Sequence, residues 1–376
     1  MGLSDSLRCY GIREGKTGVG IAVMAGRIFA VYTQNRIRAA PVIFNLQNLG
    51  KRVKGIIVNS GNANAYTGEE GLRKARRMAE FLAERLNCDL SEIAIASTGV
   101  IGRQLDVDKI IRIGEKVLER LGGGEEHINA FARAIMTTDR FPKIAKRRFG
   151  GVEILGIAKG AGMIAPNMAT MLAFIFTNAR CDGMEEIFRE AVEGSFNRVI
   201  VDGDTSTNDT VFMVASEEVE ANPEEFREHL SSLMLELAEM MARDGEGATK
   251  VFWVRVSGAR SDDDALRVAR AVAGSNLVKT AVFGGDPNFG RIIAAIGYSG
   301  ADVDERITLK LRGESGVAVL VEEGNVVEGS LELAERIMKE SRIEVLIDLH
   351  RGSGEGYAIG CDLTHDYVEL NSKYTT

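Results

Sequence analysis

Proline is scarce in this chain. There are 5 among 376 residues, so extended proline-rich linkers are not expected. Cysteine is equally sparse: Cys9, Cys88, Cys181 and Cys361 lie far apart, with no C-x-x-C pair. That spacing excludes zinc ribbons and thioredoxin-like dithiols and favours a reduced, cytoplasmic protein. The four histidines, His127, His229, His350 and His365, form no H-x-x-x-H pair, so no metal site is expected. No basic-then-apolar segment resembling a signal peptide stands at the N-terminus. Apolar runs are short. Residues 171–176 are six in a row, where a membrane helix needs about 20. An excess of positive charge is missing too. The net charge of −8 argues against general nucleic-acid binding, which relies on Lys and Arg at phosphates.

What the chain does have is glycine, at 42 residues, and an ordinary soluble composition with 45% hydrophobic and 27% charged residues. Its length fits two or three domains, or one large α/β body with an appendage. A hairpin is expected over residues 20–24 and 27–32, turning at Ala25-Gly26. Residues 53–58 form a buried strand that ends in an Asn/Gly-rich loop, and 92–96 form a strand running into Ser97-Thr98-Gly99. Helical periodicity covers 68–86, 106–121 and 125–135, the last two parted by Gly122-Gly123-Gly124. Further strands are expected at 152–158, 172–176, 251–256, 307–311, 317–321 and 343–347. A helix begins at Asn222, where Asn can cap, Pro223 suits the first turn and Glu225 stands at a capping-box position. Strands and helices mix without a strict βαβ rhythm. A layered α+β fold therefore beats a doubly wound one.

Three motifs mislead. Gly15-Lys16-Thr17 looks like the end of a P-loop, but the glycine required five residues earlier is Tyr10. The same stretch, through Gly18 and Gly20, lacks dinucleotide-binding spacing. The acidic stretch from Asp202 to Asp209 departs from the EF-hand pattern and reads as a hydrogen-bonded turn near a site.

The chemistry concentrates in the stretch from Lys159 to Leu172, where glycines and small residues lead to Thr170 at the start of an apolar strand. Its plain alternative is a loop feeding a strand. A threonine freed at its α-amine, however, carries its own base. The hydroxyl is the nucleophile, and the amine, with an ordinary pKa of about 7.7–8.0, can take its proton without a histidine.

At this point the sequence resembles the ornithine acetyltransferase (glutamate N-acetyltransferase) family of arginine biosynthesis, which includes bifunctional members. The matching stretches are residues 59–65, Ser97-Thr98-Gly99-Val100-Ile101-Gly102, Met136-Thr137-Thr138-Asp139, residues 159–172 and residues 202–210. Asp244-Gly245-Glu246-Gly247-Ala248-Thr249-Lys250, Gly285-Asp286-Pro287-Asn288-Phe289-Gly290-Arg291 and residues 371–376 complete an ordered set over nearly the whole chain. Arg140 departs from the small residue expected after Thr-Thr-Asp.

The resemblance implies a precursor that cuts itself between Ala169 and Thr170. The pieces would be an alpha chain, 1–169, and a beta chain, 170–376, with a smaller C-terminal domain from about residue 260. It implies an αββα-like body of sheets packed between helices, and a heterotetramer of two alpha and two beta chains. Thr170 would be the nucleophile, Thr98 and Gly99 the oxyanion hole, and Glu246 a group that meets the ornithine ammonium or moves a proton. Thr137, Lys159, Thr170, Glu246, Asn371 and Thr376 would contact substrate, with the tail folded back over the pocket. Acetyl would pass from N2-acetylornithine to glutamate through an acetyl-threonine, with no metal, nucleotide or redox cofactor. Whether acetyl-CoA serves as a second acetyl donor stays open.

Two rival functions remain at this level. A self-processing amidohydrolase or aminopeptidase would share the N-terminal threonine but pass the acyl group to water. A non-catalytic amino-acid-binding protein would never cut its chain.

Overall fold

Runs such as Ile56-Ile57-Val58 and Phe174-Ile175-Phe176 are continuous hydrophobics because their strands are covered on both faces. The computed structural model describes residues 2–165 and 171–373, which divide into two units. The first comprises the described residues of 2–197 and 204–241, the second 198–203 and 242–373.

Nine strands precede residue 221: β1 (Arg8–Glu14), β2 (Thr17–Tyr32), β3 (Arg52–Asn62), β4 (Ile93–Val100), β5 (Lys143–Phe149), β6 (Val152–Lys159), β7 (Leu172–Arg180), β8 (Val199–Ile200) and β9 (Thr210–Glu220). All but β8 form one sheet in the order β4-β3-β2-β9-β7-β6-β5, with β1 paired to β2. Successive side chains alternate between its faces. Ile56 and Val58 of β3 share one buried cluster with Leu155, Phe174 and Phe212, so the two halves of the sheet meet on a single core. Ile57, Ile93 and Ile95 point the other way, onto the helices Gly68–Leu86 and Val107–Leu118. The opposite outer face, at β6, carries the helix Pro223–Arg243. A Cβ built on Gly156 would lie 2.6 Å from Leu233 and 2.7 Å from Leu237. Helices thus cover both outer faces, and the inner face shares its core with the helix Glu125–Ile135, giving a layered α/β body built on one continuous sheet where more than one was expected.

The expected hairpin at Ala25-Gly26 is corrected. β2 runs unbroken for 16 residues, and its register against β3 slips between Val23 and Gly26. Gly26 marks a bulge and a close approach, because a Cβ there would run into the Ala215 backbone. The hairpin lies one strand earlier. Glu14 pairs with Thr17 around Gly15-Lys16, the stretch that imitated a P-loop. The strand ending in the Asn/Gly loop also extends further than expected, with Asn59 to Asn62 still in β3.

Helix ends follow their signals. Asn222 Oδ1 accepts the Glu224 and Glu225 amides at 2.9 and 3.2 Å. Asp106 Oδ1 accepts the Lys109 amide at 3.0 Å.

The second unit has its own sheet. Its strands are β8 and β10 (Val251–Ala259), β11 (Thr308–Gly313), β12 (Gly316–Glu322), β13 (Asn325–Val326), β14 (Arg342–Asp348) and β15 (Gly354–Cys361), in the order β13-β12-β11-β14-β10-β15-β8. Phe252, Val254 and Val256 pack on the helices Asp262–Gly274, Asn276–Gly284 and Phe289–Gly297. Among the described residues no helix is long and apolar enough to cross a membrane.

Candidate active site

The site in the first unit is set by strand register. Lys159 at the end of β6 pairs with Leu172, the first residue of β7, and Leu172 pairs with Thr210, the first residue of β9. Three strand ends thus align in one row. Residues 166–170 fall outside the described residues, so the Ala169–Thr170 bond and the nucleophile assigned to Thr170 are not placed; the described chain resumes at Met171.

Lys159 would ordinarily be a solvated surface charge. Here its side chain is 2% exposed. Its ammonium donates to Thr137 Oγ1 at 2.9 Å and to Thr98 Oγ1 at 3.3 Å, and faces Asp139 Oδ2 at 3.9 Å. Three of the predicted site residues, Thr98, Thr137 and Lys159, therefore meet. A hydroxyl oxygen that accepts from an ammonium keeps its own hydrogen to donate. The Thr98 contact is thus compatible with the donor role expected of an oxyanion hole.

Asp139 holds the cluster together. Lys143 donates to its Oδ1 at 2.7 Å with both side chains fully buried, the Gly160 amide donates to the same oxygen at 2.7 Å, and the Thr137 amide donates to Oδ2 at 3.0 Å. Burial pushes the Asp139 carboxyl up. The charges of Lys159 and Lys143 and the hydrogen bonds from Lys143 and the Thr137 amide outweigh it, holding the group at about 2. Arg140, beside it in sequence, is exposed.

Thr98 and Gly99 lie near the end of β4. Gly99 has φ +130°, and a Cβ there would stand 2.6 Å from the Asn62 amide nitrogen and closer still to the Gly61 carbonyl carbon. Only glycine fits, which fixes the peptide that follows Thr98. Ser97 Oγ donates to Asn59 Oδ1 at 2.5 Å.

The stretch before β9 is the hydrogen-bonded turn expected there. Asn208 Nδ2 donates to Ala63 O at 2.7 Å and Ser97 O at 2.8 Å, tying this turn to the strand that carries Thr98. Asp209 is fully buried. Its Oδ1 accepts the Met171 amide at 2.9 Å, and among the described residues its Oδ2 has no hydrogen-bond partner. Burial pushes this carboxyl well above the usual range, against the Met171 amide, the Lys159 charge and the Ser206 hydroxyl.

In the second unit, Asn371 Nδ2 donates to Glu246 Oε2 at 2.8 Å. Asn371 lies on the helix His365–Lys373, which packs closely on the loop of residues 244–250. A Cβ on Gly247 would lie 2.5 Å from the Tyr367 amide nitrogen, and Thr364 Oγ1 donates to Gly247 O at 2.8 Å. Asp362 secures the loop's far end by accepting the Thr249 amide at 2.8 Å, the Thr249 hydroxyl at 2.5 Å and the Lys250 amide at 2.9 Å. Thr376 lies outside the described residues.

Sequence reasoning missed Lys143 and Asp362 and left Asp139 and Asp209 as parts of motifs only. A signal existed for two of them. Asp139 closes the quoted Thr-Thr-Asp run, and Asp209 directly precedes an apolar strand. The histidines are unremarkable where aromatic contacts describe them: His229 stacks on Phe149 at 4.1 Å and His127 lies edge-on to Tyr10. Among the described residues no three His, Cys, Asp or Glu side chains gather to hold a metal ion.

Known proteins are similar to this chain over nearly all of the sequence. The ArgJ family model matches residues 6–376. The arginine biosynthesis bifunctional protein ArgJ of Archaeoglobus fulgidus is 53% identical over 98% of this chain and 97% of its own. The glutamate N-acetyltransferase of Methanothermobacter thermautotrophicus is 48% identical over 99% of this chain and 96% of its own. A crystal structure of ArgJ from Bacillus halodurans is 38% identical, covers 54% of this chain and 98% of that chain, and has a TM-score of 0.49. With a match from residue 6 to the last residue, and such identity along whole chains, the chain belongs to the ArgJ family.

Proposed function

We infer that this chain is an acyltransferase of arginine biosynthesis that moves acetyl from N2-acetylornithine to the α-amine of glutamate. The observation that carries the site assignment is Lys159, a buried ammonium shared by the Thr98 and Thr137 hydroxyls at the strand end facing the start of β7. A buried cation of this kind suits a substrate carboxylate or a developing oxyanion.

Thr170 is the nucleophile twice. In maturation its Oγ attacks the Ala169 carbonyl, the acyl group shifts from nitrogen to oxygen, and water releases Ala169 as a new C-terminus. The freed α-amine then serves as the base. In turnover Oγ attacks the acetyl carbonyl of N2-acetylornithine, Thr98 and the Gly99 amide receive the oxyanion, and ornithine leaves with the proton. Glutamate's α-amine takes the acetyl in the reverse sense. Lys159 and Thr137 meet the substrate carboxylate. Glu246, oriented by Asn371, takes the side-chain ammonium of ornithine or moves a proton at the incoming amine. The chemistry calls for no metal or redox cofactor, with acetyl-CoA a candidate second donor. The mature enzyme is cytoplasmic, a tetramer of two alpha and two beta chains.

Mass spectrometry with N-terminal sequencing tests the nucleophile. Wild type should give pieces of 169 and 376 − 169 = 207 residues, T170A one inactive chain, and T170S partial maturation with poor transfer. N2-acetylornithine and glutamate should give parallel double-reciprocal lines. Free acetate as the main product identifies a hydrolase instead, and an intact, fully active wild type sinks the assignment.

A further inference from the structure

Strand pairing gives Thr98 and Gly99 support from one side only. β4 is an edge of its sheet, so its outward backbone groups have no neighbouring strand. On its inner side the register against β3 slips between Gly61 and Asn62, opposite Gly99. Buried backbone groups still need partners. Asn45 serves Ile95, accepting its amide at 3.1 Å and donating to its carbonyl at 2.8 Å. Two residues on, where a strand points the same way again, the Ser97 carbonyl accepts from Asn208 Nδ2 at 2.8 Å.

Asn208 uses its whole carboxamide. The second hydrogen of Nδ2 goes to the Ala63 carbonyl at 2.7 Å. The Ala63 amide in turn donates to the Val100 carbonyl at 3.0 Å. One side chain thus grips Ser97 directly and Val100 through Ala63, the residues on either side of Thr98 and Gly99. The atom facing two carbonyl oxygens is the nitrogen, so chemistry fixes the orientation of the amide. Its Oδ1 accepts the Thr207 hydroxyl at 2.6 Å. The Asn208 backbone is held too, its amide by Ser206 Oγ at 3.0 Å and its carbonyl by the Thr210 hydroxyl at 2.9 Å. Asn208, Ser97, Thr98 and Ala63 are all buried, so losing these bonds would strand carbonyls away from bulk water.

We propose that Asn208 is the positioning residue of the oxyanion hole: its carboxamide sets the backbone from Ser97 to Val100, and with it the Thr98 hydroxyl and the Gly99 amide. The inference rests on Thr98 and Gly99 receiving the oxyanion. Such donors act only when they already point at the place where charge develops. The Lys159 ammonium touches the Thr98 hydroxyl at 3.3 Å but does not set its backbone. Asn208 itself does not meet substrate in this role. It lies after the proposed cut and Thr98 before it. One piece would therefore carry the donors and the other the clamp.

The test is a cycle of wild type, N208A, T98A and the double variant. Both kcat and KM are measured on mature enzyme with N2-acetylornithine and glutamate. N208A should lower kcat about 10- to 10²-fold with KM within about twofold, because oxyanion contacts form only in the transition state. The double variant should lose clearly less than the product of the two single losses, because Asn208 acts through Thr98. Beside a slowed T98A, three results overturn the proposal alone: wild-type kcat in N208A, a change in its KM only, or losses that multiply fully. An unslowed T98A overturns the oxyanion assignment and the proposal with it. If N208A does not fold or mature, T207V decides. It removes the hydroxyl that holds Asn208 Oδ1 and keeps the shape of the side chain. A lower kcat at unchanged KM supports the clamp, and a wild-type kcat ends it.

Discussion

Lys143 donates to Asp139 across 2.7 Å with both side chains fully out of solvent, and the same carboxyl faces the Lys159 ammonium at 3.9 Å. Two cations share one anion, so these three groups carry a surplus positive charge. The Lys159 ammonium is aimed at the two threonine hydroxyls, at 2.9 and 3.3 Å, as well as at Asp139.

Replacing Asp139 with Asn should remove this support. Breaking a buried pair in this way costs about 3–5 kcal/mol, so D139N should melt earlier and lose transfer activity. The pH sign follows from the carboxyl lying below its ordinary value, at about 2 instead of 3.8. Its contribution to stability is fully present above about pH 4 and is lost as pH falls toward 2. Chemical denaturation across that range should show the loss in wild type and not in D139N.

Thr98→Ala should slow turnover by about 10²–10³ with little change in KM, since it removes a donor needed only when the oxyanion forms. Maturation should slow too, because self-cleavage passes through a similar oxyanion. Gly99→Ala should be worse in both respects. Its methyl would have to displace the backbone of Gly61 and Asn62, moving the peptide whose amide is the second donor. Steady-state kinetics and the fraction cleaved over time check both, and unchanged turnover in T98A leaves that residue an ordinary member of β4.

Lys159→Met should chiefly raise the KM for N2-acetylornithine, as expected when an interaction made with bound substrate is lost. The substitution also leaves Asp139 with Lys143 alone, so some loss of stability should accompany it. A KM unchanged in a folded, mature K159M would remove Lys159 from substrate binding.

Glu246→Gln should cut transfer by removing the anion assigned to the amine end of the substrate. Asn371→Ala should act in the same direction and more weakly, because Glu246 keeps its charge and loses the partner at 2.8 Å. Deleting residues 371–376 should damage activity while the fold, followed by circular dichroism and melting, survives. Normal kinetics in all three would remove the second unit from this role.

Sequence periodicity located the helices over 68–86 and 125–135 with their observed limits. Apolar residues recur there on one face, and glycines bound both helix starts. It failed at β2, where Ala25-Gly26 carries turn chemistry but marks a bulge: strand pairing to β3 and β9 overrides the local preference. Of the site, the residues in recognised motifs were legible and their supports were not. Lys143 sits in a mixed Pro-Lys-Ile stretch that says nothing of burial. It is buried because β5 and β6 align it beside Ala158, next to Lys159. The Glu246–Asn371 contact joins residues 125 apart and follows from the docking of a terminal helix.

The strand order also decides what a cut before residue 170 would leave behind. Reading across the sheet, β4, β3 and β2 precede the cut in sequence, β9 and β7 follow it, and β6 and β5 precede it again. The second piece would supply two strands in the interior of a sheet whose margins both belong to the first. Neither piece could leave without tearing two ladders at once, so the severed sheet of the first unit would hold together. Rebuilding it would be another matter. Two separate chains must find each other before the interior strands have anything to pair with, so recovery after full denaturation would depend on protein concentration, whereas the uncut chain's would not.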